Sequence, residues 1–302
     1  MLEVASTPKS RRERLRTGLS SGSLLRFPGA INPLSARLIE ELGFEGVYLS
    51  GAVISAELAL PDIGLTTQTE VVGRATETAR VTNLPVLVDA DTGFGEPVNV
   101  GRTVQLFEDA GAAGCHIEDQ VNPKRCGHLD NKEIIDPVDM ARRISAAVGA
   151  RRDDDFVICA RTDARAPEGL EGAIERARRY VDAGADMIFP EALADAGEFE
   201  QFRQAIDVPI LANMTEFGKS ELLTGDTLSG LGINVVIYPV TLLRVAMGAI
   251  ERALATISNE GSQAGLVTDM QTRKRLYELV DYEGYNTFDD SVYNFSLDKK
   301  GQ

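Results

Sequence analysis

Lys124-Arg125-Cys126-Gly127-His128 places one thiol between two cations, a glycine and a histidine. Cysteine ordinarily packs as a small hydrophobe. Positive neighbours favour the thiolate and lower its pKa. In a polar segment, such a thiol suits proton transfer; the plainer reading is an anion-binding loop with no chemistry of its own. Upstream, Asp89 and Asp91 end an apolar run two residues apart. On a strand that spacing turns both carboxylates to one side. Hard oxygen ligands of this kind suit Mg²⁺ or Mn²⁺, and a helix cap or an arginine pair would use the same spacing. Glu118-Asp119-Gln120 ends the run leading to the cysteine. Carboxylates beside a poised thiol predict a metal-assisted acid–base enzyme.

Eight near-continuously apolar runs could position these groups: 24–27, 46–50, 85–89, 114–118, 156–161, 187–191, 209–213 and 235–238. Unbroken hydrophobicity is expected of parallel strands covered on both faces. Between them, 98–110, 137–148, 169–183 and 196–206 carry apolar residues at helical spacing, and the DAG turns at 109–111 and 182–184 read as helix stops. The alternation predicts an α/β chain folded as one (β/α)8 TIM-type barrel. No G-x-G-x-x-G or P-loop pattern follows a strand. The single domain spans 1–302, with an N-terminal arm at 1–22 and a helical extension from about 245 to 302. In that extension Tyr282, Tyr285, Phe288, Tyr293 and Phe295 predict docking on a barrel or a second subunit.

Ser50-Gly51, Asp89, Asp91, Glu118, Arg161, Asp163, Glu191, Asn213 and Thr215 all fall at the C-terminal ends of the predicted strands. Barrel enzymes build their sites at that face. Arg161 there is a candidate carboxylate clamp. Cys115 and Cys159, inside apolar runs, read as buried and inert. His116 reads as a strand-end residue with a satisfied hydrogen bond. His128 either tunes Cys126 or binds a substrate carboxylate. The arginines at 11, 12, 14 and 16 read as a solvated helix face.

Of the 302 residues, 43% are hydrophobic and 25% charged, ordinary for a globular protein. A net charge of −15 argues against nucleic acid as a partner. A small anionic substrate then needs a local positive site. No apolar run reaches the roughly 20 residues of a membrane span, and no secretory leader is recognisable. Three cysteines without zinc-type spacing suit a reducing cytoplasm.

The segments VYLSG, LPDIG, VDADTGFG, HIEDQ, KRCGH, RTDA, PEA, NMTEFG, YP and MQTR together resemble the isocitrate lyase/phosphoenolpyruvate mutase superfamily over most of the chain, from about Arg26 to Tyr282. The cysteine motif is that of its lyases, and the length is that of its methylisocitrate-cleaving branch. After His128 the chain reads Leu129-Asp130, where many of that branch have Arg-Pro. The resemblance implies a barrel that needs Mg²⁺, with Mn²⁺ as substitute. It implies a homotetramer in which a C-terminal helix swaps between neighbours. It implies cleavage of a small tricarboxylate, 2-methylisocitrate, to pyruvate and succinate in propionate catabolism (the methylcitrate cycle). The alternatives are isocitrate or dimethylmalate cleavage, or, in another class, an anion-binding barrel without catalysis.

By the same resemblance, Asp89 and Asp91 hold the metal, with Glu118 and Asp62 acting through water. Cys126 protonates the succinate half as general acid, and Tyr48 or a water on the metal takes the hydroxyl proton. Arg161, Arg244, Arg273, Glu191, Asn213, Met214 and Thr215 meet the substrate. Ser50, Gly51, Ala52, Gly127 and His128 complete that set.

Overall fold

The computed structural model describes residues 4–125, 127 and 132–294. Its strands are β1 (Leu25–Pro28), β2 (Val47–Leu49), β3 (Val86–Asp89), β4 (Gly114–Glu118), β5 (Val157–Thr162), β6 (Met187–Pro190), β7 (Leu211–Asn213) and β8 (Val235–Tyr238). All neighbours are parallel, in the runs β2-β3-β4-β5-β6 and β1-β8-β7. Parallel bridges from Gly29 to Tyr48 and from Ile188 to Ile210 join the two runs, which closes the barrel. The expected TIM-type architecture is present, and each strand lies within two residues of its predicted position.

The connecting helices are α1 (Pro8–Leu19), α2 (Pro33–Glu41), α3 (Gly51–Glu57), α4 (Gln68–Ala79), α5 (Pro97–Ala110), α6 (Pro137–Ala150), α7 (Arg165–Asp182), α8 (Ala196–Ala205), α9 (Gly225–Gly230) and α10 (Thr241–Glu260). Their ends obey local chemistry. Thr67 and Glu70 form a reciprocal capping box at the start of α4. Gly111 stops α5 in the left-handed region at φ 86°.

Strand periodicity sorts the core into two layers. Leu25, Phe27, Tyr48, Leu87, Val157, Cys159, Met187, Phe189, Leu211, Val235 and Ile237 form the barrel interior. Val47, Val86, Val88, Ile117, Ile158, Ile188 and Val236 face outward onto the helices.

The N-terminal arginines correct their sequence reading. Leu15 and Leu19 of α1 join the interior cluster, so Arg11, Arg12 and Arg16 come down on main-chain carbonyls. Arg11 donates to Ala79 O and Thr82 O at 2.7 and 2.8 Å. Arg12 donates to Ala112 O and Glu108 O and pairs with Asp153 at 3.0 Å. Arg16 pairs with Asp186 at 2.8 Å. Carbonyls left over where helices end need donors, and the guanidinium forks supply them. Arg11 and Arg12 are thus buried rather than solvated.

The chain divides into two compact units, residues 6–246 and residues 1–5 with 247–302. Beyond α10 the second unit holds a 3-10 turn (Ala264–Asp269), α11 (Arg273–Leu279) and α12 (Tyr282–Tyr293). Tyr277 and Tyr282 stack there at 4.5 Å. Tyr285, Phe288 and Tyr293 are exposed, and Phe295 lies outside the described residues. No described helix is long and apolar enough to cross a membrane.

Candidate active site

Along five strands the inward positions become charged or polar toward the C-terminal end. Leu87 gives way to Asp89, His116 to Glu118, Cys159 to Arg161, Phe189 to Glu191 and Leu211 to Asn213. The two-residue step that keeps a side chain inside the barrel therefore stacks a polar ring on the apolar interior. Above it lies a cavity of about 50 Å³. Tyr48, Ser50, Ala52, Asp62 and Asp89 line one side, and Lys124, Arg125 and Gly127 come from the cysteine segment. Arg161, Phe189, Glu191, Asn213, Thr215, Pro239 and Val240 complete the wall. Such a volume holds a few waters and falls far below the roughly 300–1,000 Å³ of ligand pockets. A larger outer groove of about 780 Å³ beside α5 and α6 has Arg102 as the one charged group in its lining, so it offers little chemistry.

Asp62, Asp89, Asp91, Glu118, Asp163 and Glu191 crowd this end of the barrel, against Lys124, Lys132 and Arg161. Burial and the charge of Asp89 push Asp91 up to about 6, against the pull of Lys124. Asp89 is lowered against its own burial by the groups around it, Lys124 and Arg161 being the cations among them. Burial raises Glu118 well above the carboxylate range even beside Arg161. Two adjacent carboxylates cannot both ionise cheaply. Asp91 also sits at φ 46°, a sparsely populated region for a non-glycine residue.

This donor set fits a hard divalent cation. A Cβ on Gly51 would stand 3.1 Å from both Asp89 Oδ2 and Asp91 Oδ1, so the two oxygens converge on one spot. Neither Glu118 oxygen nor Asp91 Oδ1 accepts a hydrogen bond among the described residues, although Arg161 and Lys124 stand 3.2 and 2.9 Å away. Also among the described residues, no three acidic, histidine or cysteine side chains are gathered tightly enough to hold an ion by themselves. Mg²⁺ characteristically keeps several waters and takes one or two carboxylates, which matches a set of this kind.

Several residues differ from their sequence reading. Lys124 is buried and is bound to Asp62 and Asp91, so its charge is committed to carboxylates rather than left free to acidify a thiol. His116 sits in the middle of β4, not at its end. Its Nε2 lies 2.8 Å from the Tyr48 hydroxyl, and its Nδ1 has no partner among the described residues. Burial lowers it to about 4, which keeps it neutral. Burial and Asp89 raise Tyr48 well above the usual phenol range. Without a cation beside Asp89, both effects favour the protonated hydroxyl. Met214 turns outward into the helix-facing core, because strand alternation gives the interior to Asn213 and Thr215.

The other candidates are placed as follows. Ser50, Ala52 and Asp62 reach the cavity wall, and Gly51 N donates to Asp89 Oδ2 at 3.0 Å. Arg161 is shared by Glu118, Asp163 and Glu191. Asn213 donates to Glu191 at 3.3 Å. Arg244 bonds Thr215 Oγ1 at 3.2 Å and pairs with Glu216 at 2.7 Å. Arg273 opens α11 in the C-terminal unit. Cys126, His128 and Leu129-Asp130 lie outside the described residues, but their neighbours are fixed. Gln120 holds Arg125 by both ends of its amide, at 2.9 and 2.8 Å. Gly127 lies so close to the charged ring that a Cβ there would stand 2.1 Å from Glu191 Oε1. Cys115 and Cys159 are buried, and burial raises both thiols. Phe189, Pro239, Val240 and Lys132 were missed as site residues. Phe189 looked like core, Pro239 stood in the YP segment without a role of its own, and Val240 and Lys132 carry no motif.

A family model described as phosphoenolpyruvate phosphomutase matches residues 15–258. The chain belongs to that family. A Corynebacterium glutamicum protein named "Probable 2-methylisocitrate lyase 2" is 62% identical over 99% of this chain and 97% of its own length. The 2-methylisocitrate lyase of Escherichia coli (strain K12) is 45% identical over 92% and 95%. Among solved structures, oxaloacetate acetylhydrolase with 3,3-difluorooxalacetate superposes at TM-score 0.89, with 32% identity and 97% of this chain and 100% of that chain covered. Phosphonopyruvate hydrolase with oxalate and Mg²⁺ superposes at TM-score 0.84, with 31% identity over 94% and 99%.

Proposed function

We propose that this enzyme cleaves 2-methylisocitrate to pyruvate and succinate, with Mg²⁺ as cofactor and Cys126 as general acid. The structural observation that carries the reading is the seat of Gly127, the glycine of the cysteine motif, on the Arg161–Glu191 pair. The names of relatives at 44–62% identity support the substrate.

In the reaction the substrate hydroxyl becomes the pyruvate carbonyl as the adjacent carbon–carbon bond breaks. The bonding electrons pass to the succinate half, and the Cys126 thiol returns a proton to that carbon. Asp89 and Asp91 would hold the metal, with Asp62 and Glu118 orienting its waters; when bound, Mg²⁺ supplies Lewis-acid stabilisation of the hydroxyl oxygen. Arg161 faces the charge that develops on the succinate half. Asn213 and Thr215 flank it, and Arg244 braces Thr215. The hydroxyl proton leaves to Tyr48 or to a water at the metal site. Arg273 is proposed to complete the substrate's carboxylate contacts.

Exposed apolar residues of α10, Ile250, Leu254 and Ile257 among them, together with the aromatics of α12, support assembly into a tetramer by exchange of C-terminal helices. With Cys115 and Cys159 free, a reducing cytoplasm is the proposed setting.

The test is product identity: pyruvate release from 2-methylisocitrate, coupled to lactate dehydrogenase, beside glyoxylate release from isocitrate. One methyl group in a pocket is worth about 1–3 kcal/mol, so kcat/KM should favour 2-methylisocitrate by tenfold or more. Preference for isocitrate would overturn the substrate while leaving the fold intact.

A further inference from the structure

Arg161 has too many carboxylates. Its guanidinium meets Glu118 at 3.2 Å, Asp163 at 2.9 Å and Glu191 at 3.5 Å. A cation already facing Asp163 and Glu191, beside a Glu118 whose burial favours its protonated form, has little attraction left for a further anion, and the substrate's carboxylate would be that anion. One side chain changes the balance. Lys132 comes from the segment that returns from the cysteine loop, and its side chain is 2% exposed. Its ammonium donates to Asp163 Oδ1 at 2.8 Å and also to the main-chain carbonyl of Gly127.

Asp163 is held by its main chain as well as by its side chain. Its N–H donates to Asp119 Oδ1 at 2.8 Å. Asp119 in turn accepts from the Tyr180 hydroxyl at 2.7 Å and Thr162 Oγ1 at 2.9 Å. Asp163 thus offers one carboxylate to two cations and sets the angle of the Arg161 fork through Nε and Nη2. A buried ammonium is retained only where it is paired. The pairing with Asp163 explains its burial, whereas the bond to Gly127 O joins that pair to the cysteine segment.

We propose that Lys132 is a positioning residue for Arg161. It takes up the charge of Asp163, so that the guanidinium can attract the carboxylate of the succinate half, and it links this state to the seating of Gly127. The proposal rests on the lyase reading above.

The test is calorimetric titration of wild type and Lys132→Met with succinate and, separately, pyruvate, both in Mg²⁺. Loss of Lys132 is expected to raise the ratio of the succinate Kd to the pyruvate Kd at least fivefold. Lys132→Arg is expected to return it to within twofold of wild type, since a guanidinium can also bridge a carboxylate and a carbonyl. General damage to the fold would weaken both ligands together. A ratio in Lys132→Met that rises less than fivefold overturns the proposal, and so does failure of Lys132→Arg to restore it. Where Lys132→Met does not fold, Lys132→Gln is read by the same ratio. Turnover of 2-methylisocitrate by wild type, measured alongside, tests the lyase reading separately.

Discussion

Replacing Gly127 by alanine adds one methyl group at the most crowded point of the site. The new Cβ would stand 2.1 Å from Glu191 Oε1 and 2.4 Å from Arg161 Nη2. Ordinary contact begins at 3.4 Å, so something must retreat by about 1.3 Å. Glu191 and Arg161 are 2% and 7% exposed and bonded to each other, to Glu118, to Asp163 and to Asn213. Both side chains are packed and paired, so the added methyl displaces residue 127 itself from its seat. A misplacement of about 1 Å can cost a reacting group on the order of 100-fold in rate, which corresponds to about 2.7 kcal/mol of barrier. The expected result for Gly127→Ala is therefore a fall in kcat of roughly 100-fold, read by pyruvate release coupled to lactate dehydrogenase. Succinate binding, measured by calorimetry, should fall far less, because Arg161, Asn213 and Thr215 keep their places. A kcat within threefold of wild type would refute the reasoning, since the segment would then not rest on the Arg161–Glu191 pair during turnover.

Other expectations reach beyond that contact. Asp91→Ala should weaken Mn²⁺ binding at least tenfold by paramagnetic resonance, and unchanged binding would remove Asp91 from the metal set. Arg12→Ala strips the side-chain donor from the carbonyl of Ala112, which costs about 1–3 kcal/mol when left unpaired, whereas Glu108 O keeps the Gly111 N–H; the urea midpoint should fall by an amount equal to about 2 kcal/mol, with KM unchanged. Glu40 accepts from Thr82 and from two Asn83 donors, and these outweigh its burial to lower its pKa. A lowered carboxylate stabilises the fold above its unfolded value, about 4.3, and loses that contribution as pH falls through the folded value. Wild type should thus be more stable than Glu40→Gln at pH 7, with the gap narrowing towards pH 3.

Much of the barrel was legible because both faces of its strands are buried. Runs such as 114–118 and 235–238 have no solvent face to interrupt them, so strand positions could be read directly. The ring at the strand ends was legible for a related reason. A charged residue ending an apolar run, as at Asp89, Glu118, Arg161 and Glu191, must lie where the interior meets solvent or ligand. What escaped was long-range. Nothing near Arg11 and Arg12 announces carbonyls from residues about 70 and 100 positions away. Lys124 looked like a neighbour of Cys126 because sequence shows adjacency and not direction; its side chain turns instead to Asp62 and Asp91. Met214 shared a motif with Asn213 and Thr215, yet a strand sends alternate residues to opposite faces. Lys132 carried no signal, since its Asp163 contact depends on the return path of a loop.

The central claim is that a carbon–carbon bond is cleaved and that the succinate half then receives one proton from the Cys126 thiol. The most direct measurement is turnover of 2-methylisocitrate with Mg²⁺ in D₂O, with both products read by mass spectrometry and NMR. The account predicts equimolar pyruvate and succinate, the succinate carrying one non-exchanging deuteron on a single face of one methylene, and loss of that product in Cys126→Ser. Full turnover by Cys126→Ser, or deuterium distributed over both faces, would contradict it.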